Sequence, residues 1–380
     1  MTTLHRLLRK ASPLENWVGG NRVWFAARAS FPLRRATTLI VACALIGTAT
    51  LPGVANSAPL ATESSTYAVL IGVSGYPSLP KSLRLAGPAN DVQLMRTTLR
   101  GLGLPDVNVD VIADNVPGAR AQPTRAAILG ALAAVAKKVK PGDWVIIYVS
   151  GHGSQQPQVL ANGKARNGYL EPDGLDEIFL PIDVGVWDGS KGTVAGAIID
   201  DEFGEAFARI NAQGAHAWAV FDTCHAGDMS KATGNSAARP VTRHVPQSLL
   251  GAPSPTRFVA QGSAGQPPLP RMAGKQRKAG DAKPNAGKLI SFYASHPDEP
   301  AAEERLPDVL RSAAESRYFG VFTYVLAEIL GHGATPPPAN VATLSALSTE
   351  VATRYKKRPY PRPVFEGDLS LRLPFFMRSP

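Results

Sequence analysis

The sequence predicts an α/β fold with a mostly parallel central sheet and helices on both faces. Short continuous apolar runs recur along the chain, as strands buried on both sides do. Amphipathic helical patterns separate these runs, so strand and helix alternate. With 380 residues, 44% hydrophobic and 18% charged, the chain has ample material for a core and is not disordered or fibrous in composition.

Along the chain, Tyr67–Val73 reads as the first buried strand, and Asn90-Asp91 open a helix that ends at Gly101. Val107 to Ile112 alternates like a second strand. Pro123-Thr124 start a helix through Ala136 with Ile128, Leu129, Leu132 and Val135 as its apolar residues. Trp144–Val149 is a third strand, Asp201–Ile210 a helix, and Ala217–Phe221 a fourth strand. Leu289–Ala294 is a fifth strand, succeeded by helices over Gly320–Leu330 and Val341–Tyr355, and Val364-Phe365 suit a short edge strand. There are no internal repeats.

The net charge of +10 sits in two segments. Residues 1–58 carry a net +6 and residues 231–288 a net +9, whereas 59–230 carry −5 and 289–380 are neutral. Arg34-Arg35 precede an uncharged stretch whose most apolar part, Leu39 to Leu51, is short for a membrane span. With the Ala-rich exit after it, segment 1–58 reads as an export signal or, if uncleaved, an N-terminal anchor. The expected location is therefore periplasmic or secreted, without stable membrane association once the signal is removed. Cleavage would remove Cys43 and leave Cys224 as the one thiol, unable to form an internal disulfide. Residues 231–288, rich in Pro, Gly, Ala and basic side chains, read as an unstructured linker between portions 66–230 and 289–380. A fold whose remaining parts are mildly acidic does not suit a nucleic-acid backbone.

Two positions carry the chemistry. His152 lies three residues after Val149, and Cys224 three after Phe221. Parallel strands would bring both to one rim of the sheet, where such folds place their sites. An imidazole beside a thiol favours the thiolate or takes its proton. The glycines flanking His152 allow close backbone approach and offer amide donors to an oxyanion. Spacing alone leaves open a structural Cys and a glycine-rich turn that happens to contain His.

Tyr148-Val-Ser-Gly-His-Gly-Ser154 and Phe221-Asp-Thr-Cys-His-Ala-Gly227 resemble the histidine and cysteine motifs of caspase-like peptidases, metacaspases above all. Gly87-Pro-Ala-Asn-Asp91, Asp173-Gly-Leu-Asp-Glu177, Ile199-Asp-Asp-Glu202 and Tyr293-Ala-Ser295 with Glu303-Glu304 extend the likeness in order and spacing. The resemblance implies a caspase-like sandwich and a cysteine endopeptidase. Cys224 is the implied nucleophile, His152 the acid–base, and the amides of Gly153 and Cys224 the oxyanion donors. His225 is expected to be structural. Polypeptides cut after Arg or Lys are the implied substrates, with Asp91, Ser150 and Asp222 lining the pocket. The resemblance also implies a calcium site at Asp176, Asp200 and Asp201. The family's fourth aspartate corresponds here to Lys231, with Asp228 as a substitute. The acidic run from Asp173 to Glu202 also reads as a solvated loop with a helix cap at Asp200 or Asp201, and Asp91 as a capping residue. An enzyme cutting after basic residues would process its own linker, near Arg271 to Lys278. The alternatives are a legumain-like or gingipain-like peptidase of the same broad fold, and a silent caspase-like interaction module.

Overall fold

The computed structural model describes residues 64–161, 164–165, 170–171, 173–224, 241–253, 286–296, 299–331, 340–356 and 361–376. The leader, Cys43, His225, Asp228, Lys231 and Arg271 to Lys278 lie outside them. Residues Met1–Leu60 and Ala61–Pro380 separate into two units, and the described elements all belong to the second.

Six strands form the central sheet. They are β1 (Thr66–Gly72), β2 (Val109–Ala113), β3 (Trp144–Ser150), β7 (His216–Asp222), β9 (Leu289–Tyr293) and β12 (Val364–Gly367). Their order is β12-β9-β7-β3-β1-β2. The first five in sequence pair in parallel, and β12 joins the edge antiparallel to β9. The chain leaves β1 for β2 on one side and returns to β3 on the other, which makes the β1/β3 crevice a topological switch point.

Alternation along the strands feeds two cores. Val69, Ile71, Val145, Ile147, Val149, Ala219 and Phe221 pack against α2 (Arg125–Lys138) and α3 (Asp200–Ala212). Leu70, Ile146, Tyr148, Trp218 and Val220 pack on the other face against α1 (Pro88–Gly101), α4 (Val321–Leu330) and α5 (Leu344–Tyr355). Helix α2 starts where Thr124 accepts the Ala127 N–H. Helix α1 starts earlier than the sequence suggests, with Pro88 in its first turn. Asp91 is thereby inside the helix rather than at its cap. Helix α3 likewise takes Ile199 as its N-cap, and Asp200, Asp201 and Glu202 fill its first turn, where acids suit the helix dipole.

Two three-stranded sheets are additions to the sequence-based picture. β4 (Gly153–Pro157), β5 (Leu175–Phe179) and β6 (Ile198–Ile199) form one. β8 (Val241–Thr242), β10 (Ala302–Asp308) and β11 (Ser312–Gly320) form the other. The expectation of an unstructured linker over 231–288 fails for 241–253. Val241-Thr242 pair with Ala302 and Glu303, and Arg243, Val245 and Leu250 are buried. Long-range strand pairing orders a segment whose composition reads as a spacer.

The aromatic cluster of Phe203, Phe207, Phe221 and Tyr293 fills the space between α3 and the sheet. Phe207→Ala should lower the unfolding free energy by about 3–5 kcal/mol, because a large buried ring leaves a cavity. The same truncation at Val107, which is 82% exposed, should stay within about 0.5 kcal/mol. Urea denaturation of both variants measures the difference.

Candidate active site

The sheet register assembles the site. Ser150 ends β3, Asp222 ends β7, and the two are direct partners. His152 and Cys224 each come two residues later. All four are fully or almost fully buried, and so are Asp91 and Glu303.

The imidazole is fixed from several sides. Its Nε2 is 2.8 Å from the Leu83 carbonyl, which can only accept, so Nε2 carries the proton and Nδ1 keeps the lone pair. Leu83 lies beyond β1, across the switch point. The His152 N–H donates to the Tyr76 hydroxyl at 2.8 Å, and that hydroxyl donates to the Val73 carbonyl. The Tyr76 ring leans on the imidazole with centroids 4.9 Å apart. The orienting partner of the histidine is therefore a main-chain carbonyl, which no side-chain motif can announce.

Cys224 donates to the Ala301 carbonyl at 3.2 Å. Burial pushes its thiol up to about 12, and burial pulls His152 down to about 4. Both shifts favour the neutral forms. Of the two amides expected to hold an oxyanion, the Gly153 N–H donates to a carbonyl at 3.0 Å, that of Arg243. Among the described hydrogen bonds the Cys224 amide does not share it. A Cβ on Gly153 would run into the Cys224 carbonyl, so only glycine allows this approach.

Asp91, Ser150 and Asp222 converge on a guanidinium. Arg243 Nη2 lies 2.6 Å from Asp91 Oδ2, and Nη1 lies 3.0 Å from Asp222 Oδ1. Nη1 also donates to Ser150 Oγ and to the Asp222 carbonyl, each at 2.9 Å. A third acid, Glu303 on β10, stands 3.5 Å from Nη2. Burial works against the guanidinium's charge, but Asp222, Asp91 and Glu303 hold its pKa well above the ordinary value. The acids are set in place by backbone donors. Asp91 accepts the Gly320 N–H at 2.8 Å, Asp222 accepts the Thr323 N–H at 3.0 Å, and Glu303 accepts those of Ala86 and Gly87. Gly320 has no room for a side chain beside Asp222 and Arg243. Sequence reasoning missed Arg243 and the role of Glu303. The only early sign was the family likeness of Glu303-Glu304.

The acidic run has divided duties. Asp183 accepts the Arg125 N–H at 2.8 Å, and Glu202 forms a two-pronged pair with the Arg125 guanidinium at 2.7 Å. Asp173 accepts the Leu175 N–H. Asp176, Glu177, Asp200 and Asp201 remain close enough to repel one another. Asp200 Oδ1 is buried without a hydrogen-bond partner. Among the described residues no group of three or more His, Cys, Asp or Glu side chains is arranged to hold a metal ion. Among them, too, no helix is long and apolar enough to cross a membrane.

Sheet order, switch point and the paired rim residues define a caspase-like α/β fold. A solved structure from Geobacter sulfurreducens shares it, with a TM-score of 0.51 at 19% identity over 82% of this chain and 98% of that one. The family model described as Caspase domain matches residues 65–367, and the chain belongs to that family. A Metacaspase-1A of Aspergillus oryzae is 32% identical over 168 residues, 44% of this chain and 36% of that protein. A Metacaspase-1 of Candida albicans is 34% identical over 165 residues, 43% of this chain and 33% of that one. The matched stretch spans about a third of the length of these relatives.

Burial raises Asp176 to about 7, Glu177 to about 8 and Asp91 to about 7. These folded-state values exceed the ordinary carboxyl values. Their stabilising contribution is complete below about pH 4 and is lost as pH rises through 7 and 8. The buried neutral histidines act in the opposite sense, but only below the ordinary imidazole pKa of about 6.5. The melting temperature should therefore fall between pH 7 and 8.5, and Glu177→Gln should flatten the fall. A pH series of thermal melts in a chelating buffer checks both.

Proposed function

We propose that this protein is an exported cysteine endopeptidase that cleaves polypeptides after Arg or Lys. The observation that carries the reading is the guanidinium held by Asp91, Asp222 and Ser150 in a dry pocket next to Cys224 and His152. Three carboxylates around one cavity select a cationic side chain and reject an acidic one.

In this mechanism the Cys224 thiol gives its proton to His152 Nδ1 and adds to the scissile carbonyl. The Leu83 carbonyl holds the ring through Nε2 and leaves Nδ1 without a hydrogen-bond partner, able to take a proton. The Gly153 N–H, aided by the Cys224 amide, stabilises the oxyanion. His152 returns the proton to the departing amine, and water releases the acyl group. Processing of the basic segment 231–288 belongs to the same reading.

Calcium is the proposed activator. Asp176, Asp200 and Asp201 are not arranged as a metal site here and would have to draw together to hold it, with oxygen donors of the kind this cation prefers. The mutual repulsion and the unpartnered Asp200 oxygen support that role, as the bound ion would supply the missing positive charge. Added calcium should raise the melting temperature and abolish its fall with pH, and a chelator should lower activity.

Matched peptides ending in Arg, Lys or Asp test the specificity. Cleavage after Arg and Lys is expected, with none after Asp, and preference for Asp sinks the assignment. Asp222→Asn should cut kcat/KM on the Arg peptide by about 30-fold or more, since breaking a buried charge pair costs at least about 2 kcal/mol. Cys224→Ala should be inactive.

A further inference from the structure

We propose that Asp114, the first residue beyond β2, is a positioning residue for His152, acting through the loop between β1 and α1 that carries two partners of that histidine. The proposal rests on the peptidase reading above and adds a residue that never meets the substrate.

The histidine depends on support from outside its own segment. It sits between Gly151 and Gly153, and glycine restrains the backbone least. Tyr76 and Leu83 supply the support at the His152 main chain, at its ring face and at Nε2. Both belong to the loop 73–87. Tyr76, Leu79 and Leu85 anchor that loop in the first core, and two carboxylates fasten its ends. Asp114 holds the near end. Its Oδ1 accepts the Ser74 N–H at 2.7 Å and its Oδ2 the Gly75 N–H at 2.9 Å, so the two amides just before Tyr76 end on one side chain. Hydrogen bonds to a carboxylate are among the strong ones. Ser74 passes the restraint on, because its carbonyl accepts the Leu85 N–H at 3.0 Å, two residues from Leu83. Glu303 holds the far end through the Ala86 and Gly87 amides.

The Asp114 carboxylate is buried and is itself set in place. The Asp114 N–H donates to the Gly72 carbonyl at 3.3 Å, which carries the β1–β2 pairing one residue further. Asn115 Nδ2 donates to Oδ2 at 2.9 Å from a residue with φ of 57°, a conformation asparagine tolerates well. Gly75 leaves space on the other side, where a Cβ would stand 3.2 Å from Oδ2. Asp114 thereby ties Tyr76 and Leu83 to the end of β2 and, through them, fixes the plane of the imidazole. The pocket acids are secured by other groups, so the loss of Asp114 should be felt in the chemical step and not in substrate binding. A displacement of 1 Å that originates far from the chemistry can cost about 100-fold in rate.

The experiment uses the full chain and the variants Asp114→Asn, Tyr76→Phe and the two combined, with thermal melts to confirm folding. In Asp114→Asn one acceptor oxygen becomes an amide donor of the same size. On the Arg peptide it should lower kcat about 10-fold and leave KM within about twofold. The double variant should be little slower than the slower single one, because both changes act on one histidine, whereas independent effects multiply. Nitrogen NMR of histidine-labelled protein, with the His152 signals assigned by their loss in His152→Ala, should show one Nε2–H tautomer in the wild type and a mixture in Asp114→Asn. An unchanged kcat, a KM that rises in step, or effects that multiply in the double variant would each overturn the proposal while the peptidase reading stands. If the wild type does not cut the Arg peptide, the peptidase reading falls, and the tautomer signal alone decides the positioning: an unchanged signal in Asp114→Asn overturns it. If Asp114→Asn does not fold, Gly75→Ala, which crowds Oδ2, is read in the same ways.

Discussion

The buried guanidinium of Arg243 is the interaction on which the site depends. Three carboxylates reach it from separate parts of the chain, Asp91 from α1, Asp222 from the end of β7 and Glu303 from β10. In a dry interior their mutual repulsion is severe unless a cation sits among them. Backbone amides from the start of α4 and from the loop before α1 hold the acids in place. One cation therefore links the first helix, the cysteine strand and the third sheet, and it ties residues on both sides of the 231–288 segment into one structure.

The sheet sets the geometry around that cation. Pairing Ser150 with Asp222 fixes where β3 and β7 end, so His152 and Cys224 emerge side by side at the same rim. The switch point at β1 adds Leu83, whose carbonyl selects the tautomer of His152. Two glycines make the remaining space. Gly153 lets the backbone meet the Cys224 carbonyl, and Gly320 leaves room for Asp222 and Arg243 together. Shifting either strand by one residue would turn Ser150 and Asp222 to the other face.

The central sheet was legible because its strands are continuous apolar runs buried on both sides, and five parallel ones need little more than hydrophobicity to be found. Strands such as Gly153–Pro157 and Ala302–Asp308 were not legible. They carry glutamines, charges and prolines, and their pairing is dictated by neighbours far away in sequence. Cys224, His152 and the pocket acids Asp91 and Asp222 stood out through spacing and likeness to a family. Arg243 did not, because a lone Arg among prolines and other basic residues looks like solvated spacer. What orders it is an ion pair with Asp91, 152 positions away, and single-sequence pattern carries no record of such a pair. The Leu83 carbonyl was invisible for a simpler reason, since every residue has one.

A buried ion-pair cluster is weak evidence for stability. Desolvating four charged groups costs several kcal/mol each, and well-packed apolar residues of similar volume often do as well or better. Stability alone would not require three acids to surround one Arg at the rim of the sheet, against the thiol and imidazole. The proposed pocket for cationic substrate side chains would require that arrangement, because its acids must remain in place when one cation gives way to another. The +10 charge of the chain thereby takes on a different meaning. Part of it lies in a segment whose buried Arg completes the negative pocket of the folded protein.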